Sequence, residues 1–179
     1  AFPNPYMGVL PALFAVPSLL ALVRLLRAVP PGSKLRNTLL ALFGGLALFF
    51  VTLIFPIQFD KQWITIGWAL EGVALLWLLH RIPHEGLKLV GVGLLGVAFA
   101  RLALNPAVLH YHERAGTPIF NWYLYAYGLV TLCLFAGARL LNPPRNLIRE
   151  VNVPPWLCAL GTVLGFLLVH IEIADYFST

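Results

Sequence analysis

Charged side chains are scarce in this sequence. Asp, Glu, Lys and Arg make up 11% of its 179 residues, whereas the apolar and aromatic types make up 60%. A soluble globular domain carries about a quarter charged residues and under half apolar ones, and this chain has too little polar surface to cover a water-facing core. The composition therefore excludes a soluble enzyme domain, a disordered chain, a fibrous repeat and a nucleic-acid binder, and it predicts an integral membrane protein.

Short enzyme motifs are also missing. The sequence has no GxSxG nucleophile elbow, no HExxH zinc motif, no P-loop, no DDxxD-type metal motif and no glycine-rich nucleotide fingerprint. Its two cysteines, Cys133 and Cys158, lie in apolar runs without metal-site spacing, and we interpret them as small hydrophobic side chains. These absences favour a noncatalytic protein, although membrane enzymes often lack short motifs.

Six stretches are long and apolar enough to cross a membrane as helices. About 20 mainly apolar residues span the hydrocarbon layer, and prolines such as Pro56 and the pair Pro143-Pro144 separate the stretches. We predict one all-α membrane domain over residues 1–179, arranged as three helical hairpins. The predicted spans cover residues 7–29, 37–55, 62–79, 87–104, 121–141 and 155–177.

The basic residues predict how the spans are oriented. Nine of the twelve Lys and Arg residues fall in the first, third and fifth loops or their flanks, and three fall on the other side. Since positive residues concentrate on the cytoplasmic side, we predict that both termini lie outside. The nine are Arg24, Arg27, Lys34, Arg36, Arg81, Lys88, Arg139, Arg145 and Arg149, and the three are Lys61, Arg101 and Arg114.

Small residues mark faces on which helices can approach closely. In a bilayer, helix association depends on close backbone contact and on buried polar groups. The sixth span carries a GxxxG motif at Gly161 and Gly165, and the fourth carries Gly91, Gly93 and Gly96. These glycines fit either oligomerisation or packing within the chain. We favour packing within the chain and expect the fourth and sixth spans to be central.

Glu71 is the most unusual residue of the predicted spans. It lies nine residues into the third span, roughly 14 Å deep at a rise of about 1.5 Å per residue. Gly67 and Ala74 share its helix face. Ionisable groups at this depth face a partner or a water-filled cavity, and removal from water favours a neutral carboxyl that donates a hydrogen bond. A proton or ion relay is one interpretation; a single interhelical hydrogen bond is the other, which we favour.

Arg101 and Glu172 lie at similar depth near the outer ends of the fourth and sixth spans. Glu172 follows Gly161 by eleven residues, so it continues the glycine face of its helix. If the fourth span packs on that face, an ion pair between Arg101 and Glu172 follows. Such a pair is structural in one interpretation and binds a substrate in the other.

The histidines do not predict a cofactor. A bis-histidine haem needs two imidazoles at one height on facing helices, which the sequence does not provide. We interpret His170 in the sixth span as a buried polar residue; as a single axial ligand it has no support. His110, His112 and Glu113 lie in the longest predicted loop, where they match a zinc site only weakly. We expect no metal or cofactor. The loop is an ordinary connection, or it covers an outward-facing cavity lined by Arg101 and His170.

Several segments together resemble an uncharacterised bacterial membrane-protein family. They are Trp68-Ala-Leu-Glu71-Gly followed by Trp77, Arg101 near the end of the next span, Asn121-Trp-Tyr-Leu-Tyr-Ala-Tyr127-Gly, and His170-Ile-Glu172-Ile-Ala-Asp175-Tyr-Phe177. Over residues 55–179 the chain resembles the predicted membrane proteins called domain of unknown function 2339. The resemblance implies a bacterial inner-membrane protein, either one block of a longer protein with more spans or a short relative. It implies no established activity.

Two functions from different classes fit these features. The first is a noncatalytic subunit that packs with other membrane subunits in the lipid bilayer, with closed packing around Glu71, Arg101 and Glu172. The second is an envelope enzyme or carrier for a lipid-linked or glycan substrate, with a hydrated outward cavity that reaches toward Glu71. The apolar inner halves of the spans disfavour a third function, proton-coupled transport. We favour the subunit, and we expect no nucleic-acid partner.

Overall fold

The computed structural model describes residues 9–29, 34–58, 63–105 and 121–178. Within them the chain forms six long helices and one short antiparallel hairpin. All six helices are long and apolar enough to cross a membrane, which confirms the predicted all-α bundle. The elements are α1 (Val9–Ala28), α2 (Lys34–Gln58), α3 (Trp63–Arg81), α4 (Glu85–Ala103), α5 (Trp122–Leu140), β1 (Leu147–Ile148), β2 (Val151–Asn152) and α6 (Val153–Ser178).

The helix boundaries lie one to three residues from the predicted ones, and at two of them the difference follows from how proline acts near helix ends. α2 continues two residues beyond Pro56, which the sequence analysis took as a stop. This proline removes one hydrogen bond from the last turn, and the turn still forms. α6 begins at Val153 and contains Pro154 and Pro155 in its first turn. Proline is tolerated there because the first amide groups of a helix have no intrahelical acceptor.

Successive helices pack as three hairpins, α1 with α2, α3 with α4, and α5 with α6. α3 also packs on α2 and α5, so it joins the three hairpins. Half of the α3 span and 44% of the α5 span are buried, compared with 17% for α1 and for α6. The expectation of a central sixth span is therefore wrong. α3 and α5 form the centre, because they are the two most buried helices and pack on each other. α4, which was also expected to be central, is 33% buried.

The backbones of α3 and α4 approach closely at Gly72 and Gly91. A Cβ atom on Gly72 would lie 2.8 Å from the Gly91 carbonyl oxygen, and one on Gly91 would lie 3.0 Å from the Gly72 carbonyl oxygen. Because these neighbours are backbone atoms, they cannot rotate away as a flexible side chain could. Glycine at both positions therefore permits this helix crossing.

The other predicted packing glycines divide into two groups. Gly161 and Gly165 of α6 face α5, where added Cβ atoms would contact its side chains. On α4, a Cβ atom added to Gly93 or Gly96 would meet no atom within 4 Å in the described part of the chain. Of the three predicted packing glycines on α4, Gly91 is the one that packs inside the described bundle, and the other two lie on an open face.

Replacing Gly91 by alanine should destabilise the protein, because the new methyl group would overlap the backbone of α3. We expect Gly91→Ala to lower the free energy of unfolding by about 1–3 kcal/mol. Gly93→Ala is the matched control on the same helix, and it should leave stability unchanged or slightly higher because alanine is the better helix former. Unfolding of the purified chain in detergent measures both. Equal stability of the two variants would contradict the close contact.

Candidate functional site

A cavity of about 520 Å³, called the end cavity here, opens where α4 ends and α5 begins. Its wall is built by the last residues of α4, the first two turns of α5 and the last turns of α6. Apolar side chains form much of the lining, and polar groups reach it from α5, from α6 and from the residues just after α4: Asn105, Tyr123, Tyr127, His170 and Asp175. A few polar groups among apolar ones are typical of a ligand site, so the end cavity is the candidate functional site.

Asn121 connects the start of α5 to the last turns of α6. Its Oδ1 accepts a hydrogen bond from the Leu124 amide at 3.0 Å and thereby caps the helix. Its Nδ2 donates to Glu172 Oε2 at 3.1 Å. Asn121 is buried, so water does not compete freely for either bond. One amide group therefore satisfies both a helix end and a carboxylate from another helix.

Glu172 has a different partner from the predicted one. The glycine face that it continues packs against α5 and not against α4, so the condition for an ion pair with Arg101 is not met. The Arg101 guanidinium lies 5.7 Å from the centre of the Trp68 ring, within the range of a cation–π contact. The predicted ion pair is therefore wrong. Within the described residues, Glu172 Oε1 is buried and has no hydrogen-bond partner.

Tyr127 and Asp175 give the end cavity a buried polar wall. The Tyr127 hydroxyl donates to the Leu102 carbonyl oxygen at 2.9 Å. That carbonyl belongs to the last turn of α4, whose carbonyl groups have no partner within the helix. Asp175 is 6% exposed, although it lies three residues before the end of a membrane-spanning helix. The cavity therefore contains a carboxyl group that is largely shielded from the surroundings.

His170 lies at the edge of the end cavity and is exposed, which corrects its interpretation as a buried polar residue. Its ring centre lies 4.3 Å from that of Phe166, one turn earlier on α6. The candidate loop ligands His110, His112 and Glu113 lie outside the described residues. Among the residues that the structure describes, no group of three or more His, Cys, Asp or Glu side chains could hold a metal ion.

Glu71 belongs to a different part of the bundle. It is 4% exposed, and Thr52 Oγ1 of α2 lies 2.7 Å from its Oε2. This contact is a hydrogen bond between α2 and α3, which is the type of contact favoured from the sequence. Glu71 lines a separate apolar cleft between α2, α3 and α4. The end cavity does not reach Glu71, unlike the cavity expected for an enzyme or carrier.

The opposite end of the bundle, where α3 ends and α4 begins, contains contacts that the sequence analysis missed. Lys88 is 5% exposed, pairs with Glu85 at 2.8 Å and donates to the Leu147 carbonyl oxygen at 2.7 Å. His80 Nε2 bonds a backbone carbonyl of α5, and its Nδ1 lies 2.6 Å from Arg145 Nη1. These bonds attach the α5–α6 connection to the α3–α4 turn. The spacing of Glu85 and Lys88 was the available sequence signal.

Removing the Tyr127 hydroxyl should destabilise the bundle, because the Leu102 carbonyl would lose its donor in a buried place. We expect Tyr127→Phe to lower the free energy of unfolding by about 1 kcal/mol. Tyr125, two residues earlier, is exposed, so Tyr125→Phe is the matched control and should have almost no effect. Thermal unfolding of both variants in the same detergent makes the comparison. A Tyr127→Phe protein as stable as the control would argue against this bond.

Comparison with known proteins identifies a family whose description agrees with this architecture. A family model described as "Predicted membrane protein (DUF2339)" matches residues 6–179, a longer range than the resemblance over residues 55–179 that the sequence analysis identified. No match was found among curated proteins or solved structures. The family model covers almost the whole chain, including α1 and α2, and the six apolar helices agree with its description. The chain therefore belongs to the DUF2339 family of predicted membrane proteins.

Proposed function

We propose that the chain is a noncatalytic, structural block of a larger assembly in a bacterial inner membrane, where it contacts lipid and other membrane subunits. The observation that supports this proposal is that the glutamate side chains within the spans form hydrogen bonds between helices. Glu71 and Glu172 each hydrogen-bond a side chain from another helix or its cap. They line different parts of the bundle and do not surround a common centre. Polar bonds of this type hold helices together in a bilayer.

The open face of α4 supports a contact with another subunit. Gly93 and Gly96 leave empty space above the helix backbone, and the neighbouring Val97 is exposed. Glycine on an outward face allows a second helix to approach closely and gain dispersion contacts. This face lies on α4, whose opposite side is packed against α3 at Gly91. A partner helix on the open face would thus leave the packed side undisturbed.

A partner on this face predicts that the chain co-purifies with another membrane protein in mild detergent. Gly96→Leu fills the open space and should lower the recovered partner roughly tenfold, which corresponds to about 1.4 kcal/mol of binding free energy. Ala159→Leu also places a leucine side chain on the exposed surface of α6 and serves as the control. Quantitative mass spectrometry of the purified samples measures the partner. Recovery of the wild-type chain as a lone monomer would contradict the proposal.

We also propose that both chain termini lie outside the cytoplasm. Basic side chains cluster at the end where α3 meets α4, including Lys88 and Arg145, and such clusters are typical of the cytoplasmic side. In this orientation the end cavity opens outward. The hairpin of β1 and β2, which connects α5 to α6, then faces the cell interior.

Labelling with a membrane-impermeant thiol reagent tests this orientation. The positions are Glu150 in the turn between β1 and β2 and Phe177 near the end of α6, both exposed. In a background without Cys133 and Cys158, we expect Phe177→Cys to react in intact spheroplasts. Glu150→Cys should react only after permeabilisation, because it lies inside. The reverse pattern would invert the proposed orientation.

The end cavity is the specific observation that favours a second function, an envelope enzyme or carrier for a lipid-linked or glycan substrate. Its tyrosines can contact sugar rings, and Asp175 and Asn105 supply groups that hydrogen-bond hydroxyls. The same detergent preparation distinguishes the two functions. A lipid-linked glycan enriched over the bulk lipid, and lost in His170→Ala, would favour the carrier or enzyme. Absence of enrichment would favour the structural block.

A further inference from the structure

The cleft between α2, α3 and α4, called the α2–α4 cleft here, is an apolar space at membrane depth. Its volume is about 380 Å³, and nearly all of its lining is apolar. It extends from Glu71 to His84 at the α3–α4 turn. Glu71 lies roughly 12 Å along α3 from Trp63, which is close to the middle of the span. The cleft therefore has one carboxyl group, and that group lies at its deep end.

The hydrogen bonds around Glu71 leave one carboxyl oxygen for a ligand. Thr52 has a single hydroxyl proton and two oxygen neighbours, the Phe49 carbonyl at 3.0 Å and Glu71 Oε2 at 2.7 Å. Thr52 is the donor in both contacts, so its one proton is shared between the Phe49 carbonyl and Glu71 Oε2, and the carboxyl group acts as an acceptor. Glu71 Oε1 is the second acceptor oxygen of this group. Within the described residues, the hydrogen bond shown for this carboxyl group is the one at Oε2.

An acceptor in this place selects the chemistry of its ligand. A carboxyl oxygen in an apolar cleft costs free energy when it has no donor, so a ligand that brings a hydroxyl group gains a bond that a plain hydrocarbon chain does not. A charged ligand is disfavoured, because most residues that line the cleft are apolar and a charge near the middle of a bilayer is costly. The molecule that fits both conditions is neutral, largely hydrocarbon and bears a hydroxyl group.

We propose that the α2–α4 cleft binds a neutral lipid alcohol from the bilayer. Its hydroxyl donates to Glu71 Oε1, and its hydrocarbon chain fills the apolar cleft. Thr52 acts as a positioning residue, because its bond to Oε2 holds the carboxyl group in place. This site shares no lining residue with the end cavity, and Gly93 and Gly96 are not part of its lining.

Photo-crosslinking in phospholipid nanodiscs tests the proposal. The full chain is reconstituted with hexadecanol that carries a diazirine in its chain, or with the methyl ether of the same molecule, which has no donor. We expect about fivefold more crosslinking by the alcohol at cleft residues such as Leu42, Leu46 and Leu75, as one neutral hydrogen bond would give. Mass spectrometry of peptides locates the adducts. Equal crosslinking by the alcohol and the ether would overturn the proposal.

Two variants of Glu71 test whether the preference for the alcohol comes from the hydrogen-bond acceptor or from the size of the side chain. Glu71→Gln keeps a carbonyl acceptor and an amide that can donate to Thr52, so it should keep the preference for the alcohol. Glu71→Leu has no acceptor, so crosslinking by the alcohol should fall to the level of crosslinking by the ether. Glu150→Gln, in an exposed turn, is the control and should match the wild type. If Glu71→Leu does not fold, the comparison of alcohol and ether crosslinking in the wild type and in Glu71→Gln still tests the proposal.

Two further outcomes would overturn the assignment of the ligand. Stronger crosslinking by the matching long-chain amine than by the alcohol would indicate an ionised carboxylate and a cationic ligand. Crosslinks from a second protein to Leu42 or Leu75 would indicate that a helix occupies the cleft. Loss of the alcohol preference in Glu71→Gln would show that the acceptor oxygen does not select the ligand.

Discussion

The contact between α3 and α4 at Gly72 and Gly91 determines how the rest of the bundle is arranged. Because neither residue has a side chain, the two backbones approach closely, and the fully buried Leu76 and Leu95 fill the adjacent space. From this position α3 also reaches α2 and α5. Glu71 precedes Gly72 by one residue and is therefore turned about 100° from the contact with α4. Its carboxyl group bonds α2 as a result.

Side-chain hydrogen bonds between helices provide the specificity that apolar packing cannot provide in lipid. Tyr127 bonds the last turn of α4, Asn121 bonds Glu172 of α6, and Lys88 bonds the connection between α5 and α6. In water, solvent would replace a lost bond of this kind. The hydrocarbon interior offers no such replacement, and lipid tails are as apolar as leucine. These bonds therefore select which helix faces meet.

The six spans could be predicted because length and composition alone define a membrane-spanning helix. The neighbours of each span could not be predicted, since its faces are nearly all apolar and look alike in sequence. Gly91 packs and Gly93 does not, yet both are glycines of the same helix. The same uncertainty produced the wrong pair of Arg101 and Glu172, because the glycine face of α6 did not reveal which helix covers it.

The two membrane-embedded glutamates show how much of the candidate chemistry depends on packing. Each uses Oε2 for a bond within the chain, Glu71 with Thr52 and Glu172 with Asn121. A bond between helices needs only one of the two carboxyl oxygens. Glu172 Oε1 is enclosed, so a ligand could reach it only after the helices move. Glu71 borders an existing cleft, and a molecule from the bilayer can therefore reach it while the helix packing stays as it is.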